Sequence, residues 1–315
     1  MTPLKVIQDK PGGESTRGHT RLETVMRCAR RWYYRYVLRI RPARESSDTL
    51  EGRLMHLIFA WHYAAIMKRQ GRTPPLWYTE EGIHAALAEM AGPRVDELRN
   101  ARDVYQAYRR FSAGEPWQVV AVEYEIGATI RELWAMDRPG TTPPQDPAID
   151  TLITTRLDLL IESNGGGWVV DNKFTKAHGW TNDTRDRLPR WNDHGQYALD
   201  WQSVLALRLA RMEFGLDWVK GFVIQRGKRL APYDFDRNPL TISPAVYHDA
   251  VDTCLAAARY EIAQLEVASR KEVPAGSFWA CNDYGRPCDY RELCLAQPDA
   301  RPELIQLQFR REEPK

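Results

Sequence analysis

The stretch Leu157–Phe174, LDLLIESNGGGWVVDNKF, constrains the fold more than any other part of the chain. Two apolar runs flank Asn164 and three glycines, a pattern that predicts a β-hairpin. Asp158 lies between Leu157 and Leu159 in the first run, and Asp171 and Lys173 follow the apolar WVV of the second. Asp171 and Lys173 are two residues apart, so in a strand they share one face. Charges on an apolar strand need a counter-charge or a metal to offset their burial. Two arrangements meet that need. In one, Asp158 or Asp171 pairs with Lys173 as a salt bridge that only closes the hairpin. In the other, the two carboxylates hold a hard divalent cation such as magnesium. Lys173 is then placed to orient a water molecule, help its deprotonation or neutralise developing charge.

The chain has 315 residues, 43% of them hydrophobic, enough for one large domain or two ordinary ones. No run of 18 apolar residues predicts a membrane span, and the first residues lack the apolar core of a signal peptide, so a cytoplasmic protein is expected. Residues 1–19 read as a flexible leader, 20–275 as the core with its N-terminal helices, and 276–315 as a cysteine-rich tail packing back on the first helix. Thr20 and Glu23 have the spacing of a capping box, which predicts one helix through RLETVMRCARRWYYRYVL, ending before Pro42. A second helix is expected over about 49–69, with Leu54, Ile58 and Ala65 facing inward. A third, over 78–110, breaks at Gly92-Pro93. Strands are expected at 117–130, 151–163, 168–174, 221–227 and, irregularly, 230–242, with a proline-rich loop at 137–147. A helix starts near Asn192 or Asp193, another runs from the Ser243-Pro244 pair to about 270, and a polar helix covers 298–312. Helices first, then strands interleaved with helices, indicate an α/β domain.

The order of charged groups resembles the PD-(D/E)XK nuclease superfamily, and within it the RecB/AddB/Cas4-like iron–sulphur nuclease branch. The resemblance starts at TRLD, twelve residues, then DNK: Asp158, Asp171 and Lys173 fall on the family's catalytic hairpin. Thr155 stands where a glycine is common, and Phe174 where a threonine often follows the lysine. Upstream, GRLMH supplies Gly52 and His56 in the branch's glycine–histidine pattern. Downstream, HGQYALD supplies Gln196, although Asp200 replaces the tyrosine that usually closes that motif. The resemblance implies a restriction-endonuclease-like mixed central sheet flanked by helices. It also implies a Mg2+ or Mn2+ site made by His56, Asp158, Asp171 and the backbone carbonyl of Asn172, with Lys173 and Gln196 completing the catalytic set. Glu123 is the kind of strand acid found ahead of this hairpin, as metal support or as half of an ion pair.

Five cysteines, at 28, 254, 281, 288 and 294, are an odd count, and in a chain expected to be cytoplasmic they suggest metal ligands or thiols before disulfides. Cys281, Cys288 and Cys294 sit in FWACNDYGRPCDYRELC, and Cys28 lies far upstream in CARRWYYRY. Four thiolates can ligate a [4Fe–4S] cluster or hold zinc tetrahedrally. The branch places one cysteine early and three beyond the nuclease core, which implies a cluster on Cys28, Cys281, Cys288 and Cys294, with Cys254 a buried thiol.

The total charge of +2 says little about partners, but its distribution does. Seven arginines fall between Arg27 and Arg44. Arg30, Arg31, Arg35 and Arg39 there, with Lys176, Arg185 and Arg187 in the 175–191 loop, are candidates for contact with DNA phosphates. The resemblance implies a metal-dependent exonuclease acting on DNA, single-stranded or with accessible ends, in processing, recombination or repair. The chain has no phosphate-binding G-x-x-x-x-G-K motif, so it acts alone or with a separate helicase or recombination partner; its oligomeric state is left open. Alternatives are a structure-selective endonuclease of the same fold and a catalytically silent DNA-binding module stabilised by a metal centre. A thiol-redox protein lacks the expected C-x-x-C.

Overall fold

The computed structural model describes residues 18–43, 45–175, 201–229, 232–277, 279–281 and 287–312. In chain order the elements begin with α1 (His19–Arg27), α2 (Ala29–Trp32), a π-turn (Tyr33–Val37) and β1 (Ile40–Pro42). There follow α3 (Ser47–Arg69), α4 (Gly82–Ala91), α5 (Val95–Phe111), β2 (Gln118–Thr129), α6 (Ile130–Asp137) and a 3-10 turn (Pro147–Asp150). Next come β3 (Leu152–Ser163), β4 (Gly166–Thr175), α7 (Trp201–Phe214), β5 (Val219–Lys228) and β6 (Phe235–Leu240). The chain closes with α8 (Pro244–Ser269), α9 (Arg291–Leu295), α10 (Arg301–Gln308) and β7 (Phe309–Arg311).

These elements form two compact units. The first is built from Ser47–Ala128 and Thr154–Ala250, the second from Arg17–Ser46, Thr129–Ile153 and Val251–Lys315.

The first unit carries a five-stranded mixed sheet in the order β2-β3-β4-β5-β6. β3 and β4 are antiparallel, β4 and β5 parallel, β5 and β6 antiparallel. The β3–β4 turn is made by Asn164 (φ 53°) and Gly165 (φ 72°), and Ser163 pairs with Gly166. Positive φ at both central residues gives a turn whose twist matches the flanking strands, which is why Asn-Gly serves there. β4 therefore starts two residues earlier than expected. Gly167 is needed for a different reason: a Cβ there would lie 2.4 Å from the Trp218 ring.

α3 is the central helix of this unit. Leu54, Met55, Ile58, Phe59 and Ala64 are all buried, so apolar residues surround it rather than lining one stripe. It packs with Ala101, Val104 and Tyr108 of α5 and with Leu159, Ile161 and Val170 of the hairpin. Ala65, expected to face inward, is only half-buried; Ala64 takes that place.

In the second unit β1 and β7 form a small antiparallel sheet, with Tyr34, Ile40, Tyr290, Leu293 and Phe309 as its core. The Tyr290 hydroxyl donates to the Ile40 carbonyl at 2.7 Å. Glu261 of α8 accepts from Trp32 Nε1 at 2.7 Å and from Arg21 Nε at 2.5 Å.

Several expectations change here. The first helix is interrupted at Cys28, whose backbone is extended (φ −159°), and resumes as α2. Thr20 is not a cap: the helix begins at His19 after Gly18, and the Thr24 hydroxyl donates back to the Thr20 carbonyl inside the helix. A true capping box occurs instead at Thr129 and Glu132, opening α6 between the expected strand and the proline-rich loop. The polar C-terminal helix stops at Gln308 because the chain turns into β7. The expected start of the helix near Asn192 lies outside the described residues.

Candidate active site

The hairpin, α3 and β2 bring the charged groups of the first unit together. Because side chains alternate along a strand, Asp171 and Lys173 lie on one face of β4, while Asn172 and Phe174 lie on the other. Phe174 packs against Phe59 and against the edge of His56, with ring centroids 5.0 and 5.7 Å away. Asp158, on β3, accepts the backbone N–H of Asn172 at 2.8 Å. His56 Nδ1 lies 3.4 Å from Asp158 Oδ2. Lys173 Nζ lies 2.9 Å from Asp171 Oδ2. The salt bridge weighed from sequence is therefore present, and it adjoins a second grouping.

That grouping is His56, Glu123 and Asp158, whose ligand atoms lie within 4.8 Å of one another. Glu123 reaches it from β2 with unusual backbone: its φ is 48°, a region costly for a non-glycine residue in a strand. The in–out alternation of β2 fails at the same point, where Ala121, Val122 and Glu123 are buried in succession. Such local breaks in a strand redirect a side chain. Behind Glu123 stands Arg156, only 7% exposed, with Nη1 3.4 Å from Glu123 and Nη2 3.9 Å from Glu125. Arg156 was not singled out from sequence. Its signal was its place two residues before Asp158, on the same face of β3.

The electrostatics follow from burial and close charges. Burial disfavours a charged His56, but the Asp158 carboxylate and its hydrogen bond, with Glu123 and Asp171, outweigh this and lift the imidazole to about 9. Burial also raises Asp158, yet His56, the Asn172 N–H and Lys173 together hold it below the usual carboxylate range. Asp171 ends above that range, because burial and the Asp158 charge prevail over Lys173. Two oxygen donors and one imidazole nitrogen suit a hard divalent cation, whose charge would take over the role that the protons and cations of the protein now share.

The cysteine residues belong to the second unit. Cys28 is buried, and its sulphur accepts from the backbone N–H groups of Arg31 at 3.5 Å and Ser277 at 3.4 Å. The Cys281 sulphur contacts the Ser277 carbonyl at 3.6 Å, and the Cys281 carbonyl accepts from Cys288 N at 2.9 Å. Burial raises the Cys288 and Cys294 thiols; Cys28 is close enough to add to both effects, while Arg31 and Arg30 respectively oppose them. Arg30 also donates to the Pro274 carbonyl at 3.0 Å. Arg35 is half-buried beside Tyr36, and of the four arginine candidates in this segment only Arg39 is exposed. Cys254 is fully buried in α8. Gln196, Lys176, Arg185 and Arg187 lie outside the described residues.

A family profile for the PD-(D/E)XK nuclease superfamily matches residues 18–295. Among curated proteins none is detectably similar in sequence. A crystal structure of a protein from Eubacterium rectale, provisionally described as an exonuclease, is 11% identical, with 78% of this chain and 76% of that chain covered. Its TM-score of 0.37 is too low to inform function. No helix among the described residues is long and apolar enough to cross a membrane. The profile spans nearly the whole chain and takes in the hairpin, the α3 histidine and the mixed sheet: the chain belongs to the PD-(D/E)XK nuclease superfamily.

Proposed function

We propose that the chain is a Mg2+- or Mn2+-dependent deoxyribonuclease, acting as an exonuclease on DNA ends or single strands. The observation that carries this reading is the convergence of His56, Glu123 and Asp158 beside the Asp171–Lys173 pair. Asp158 is the central ligand, with His56, Asp171 and the Asn172 carbonyl completing the set expected from sequence. Glu123 joins them because its donor atom lies in the same cluster. When bound, the cation supplies Lewis acidity toward a phosphoryl oxygen and lowers the pKa of water. Lys173, 30% exposed, reaches solvent from the site face and holds the attacking water or neutralises the forming charge. Gln196 is assigned to a phosphate oxygen. The preference for an exonuclease rests on the resemblance to end-processing nucleases.

The same proposal places a [4Fe–4S] cluster on Cys28, Cys281, Cys288 and Cys294. Backbone N–H groups aimed at the Cys28 sulphur, and guanidinium groups near Cys288 and Cys294, are the surroundings that thiolate ligands require. Joining Cys28 to the tail would tie distant parts of the chain together, stabilising the fold by restricting the unfolded chain. Zinc in the same ligand set is the competing occupant.

End-labelled linear DNA and circular single-stranded DNA, each with Mg2+, Mn2+ or chelator, test the activity. Cleavage from ends that stops with chelator, and is lost in Asp171→Ala, is the expected result. Cutting of the circle would establish the endonuclease alternative, and full activity in Asp171→Ala would remove the assignment.

A further inference from the structure

We infer that Gln225 is a positioning residue for the Asp171–Asn172–Lys173 strand and acts through the side chain of Asn172. The inference rests on the metal-dependent reading of the site. Gln225 lies on β5, directly paired with Asn172 of β4, and the two side chains are 2% and 3% exposed. Gln225 Nε2 donates to Asn172 Oδ1 at 2.7 Å.

The orientation of this bond is dictated from the far end of the glutamine. Gln225 Oε1 accepts from Arg237 Nε at 2.8 Å and from the Tyr108 hydroxyl at 3.1 Å. Arginine can only donate, so the group facing it must be the oxygen. The amide nitrogen then has to point to Asn172, and Asn172 has to present its oxygen. Arg237 is itself fixed by an ion pair with Glu115 and by the Trp117 and Phe111 rings, 4.0 and 4.6 Å from its guanidinium carbon.

Asn172 is therefore held from two directions. Its side chain is tied to Gln225 on one face of the sheet, and its backbone N–H is tied to Asp158 at 2.8 Å. Asp171 and Lys173 flank it and project from the opposite face. The hydrogen-bonded chain Glu115–Arg237–Gln225–Asn172–Asp158 sets where the two flanking charges stand. Groups that orient metal ligands from behind are worth about 10–100-fold in metal affinity or activity.

A double-mutant cycle tests this without opening a cavity. In Gln225→Glu the carboxylate still accepts from Arg237 and Tyr108, and Asn172 can rotate its amide to donate. In Asn172→Asp the new carboxylate still accepts from Gln225. Only the double variant sets two carboxylates against each other, with no donor between them while both are ionised, so all four proteins are compared at alkaline pH. Each full-length protein is assayed for Mn2+ affinity by electron paramagnetic resonance, for kcat and KM on an end-labelled oligodeoxynucleotide, and for urea unfolding. Gln225→Glu should stay within about five-fold of wild type; Asn172→Asp, which alters a residue of the cation site, sets its own reference, and relative to it the double variant loses about 10–100-fold more in kcat and about ten-fold in Mn2+ affinity, with KM little changed. Additive effects, or a double variant that binds Mn2+ and turns over like the singles, overturn the inference while leaving the nuclease reading intact. A double variant that fails to fold while both singles fold is excluded from the kinetic comparison; Gln225→Leu then decides, and normal Mn2+ affinity and kcat in it overturn the inference. Wild-type protein that neither binds Mn2+ nor cleaves DNA overturns both.

Discussion

Arg156→Met is the substitution that most directly tests how the site is held before a cation binds. Arg156 is 7% exposed and lies between carboxylates that are themselves 6% and 0% exposed, at 3.4 and 3.9 Å. Methionine keeps much of the apolar stem and deletes the charge, so Glu123 and Glu125 each lose a cationic neighbour. Removing one partner of a buried ion pair costs about 3–5 kcal/mol, because the remaining charge is left less compensated. At about 2–4 °C per kcal/mol for a unit of this size, the melting temperature should fall by roughly 6–20 °C. The second arm is more specific. Glu123 shares a ligand cluster with His56 and Asp158, so a divalent cation can replace part of the lost compensation. Mn2+ should therefore raise the stability of Arg156→Met by more than it raises that of the wild type. Urea and thermal unfolding with Mn2+ or chelator measure both effects. A loss below about 1 kcal/mol would show that these carboxylates do not depend on Arg156. A Mn2+ response no larger than in wild type would refute the placement of Glu123 at the cation.

Three further outcomes are expected. Anaerobically purified protein should contain about four irons per chain, lost in Cys28→Ala and kept in Cys254→Ala, whose thiol burial pushes up to about 12; one zinc and no iron would defeat the cluster, and iron retained in Cys28→Ala would break the connection between the early cysteine and the tail. Burial and the charges of Arg69 and Arg109 pull His62 down to about 4 from 6.5, so the stability this residue provides is complete above pH 6.5 and declines as the pH falls toward 4. By linkage, roughly 2 kcal/mol is lost between pH 7 and pH 5, and that part should be absent from the urea-unfolding profile of His62→Phe, so identical pH profiles would contradict it. Arg39→Glu should weaken DNA binding alike across sequences and flatten its salt dependence; an unchanged affinity and salt slope would make this arginine a bystander.

The hairpin and the placement of its charged groups were legible in the sequence because both depend on short-range rules. Asn164-Gly165 sets the turn, the turn sets the register, and period-two alternation then puts Asp171 and Lys173 on one face. The helix after Ser243-Pro244 and the break at Gly92-Pro93 were readable for the same reason. Local signals failed where two segments with the same pattern have different backbones. Thr20-x-x-Glu23 and Thr129-x-x-Glu132 both spell a capping box, but only Thr129 sits at a helix start with extended backbone. What only the tertiary structure decided were the long-range encounters. These are the strained turn of Glu123 toward His56 and Asp158, the lodging of Arg156 between two glutamates, the tie from Gln225 to Asn172, and the end of α10 in a strand that pairs with β1. Each depends on which strands become neighbours, and that is settled by burial over the whole sheet and by the net balance of charges it encloses, quantities that no window of sequence contains.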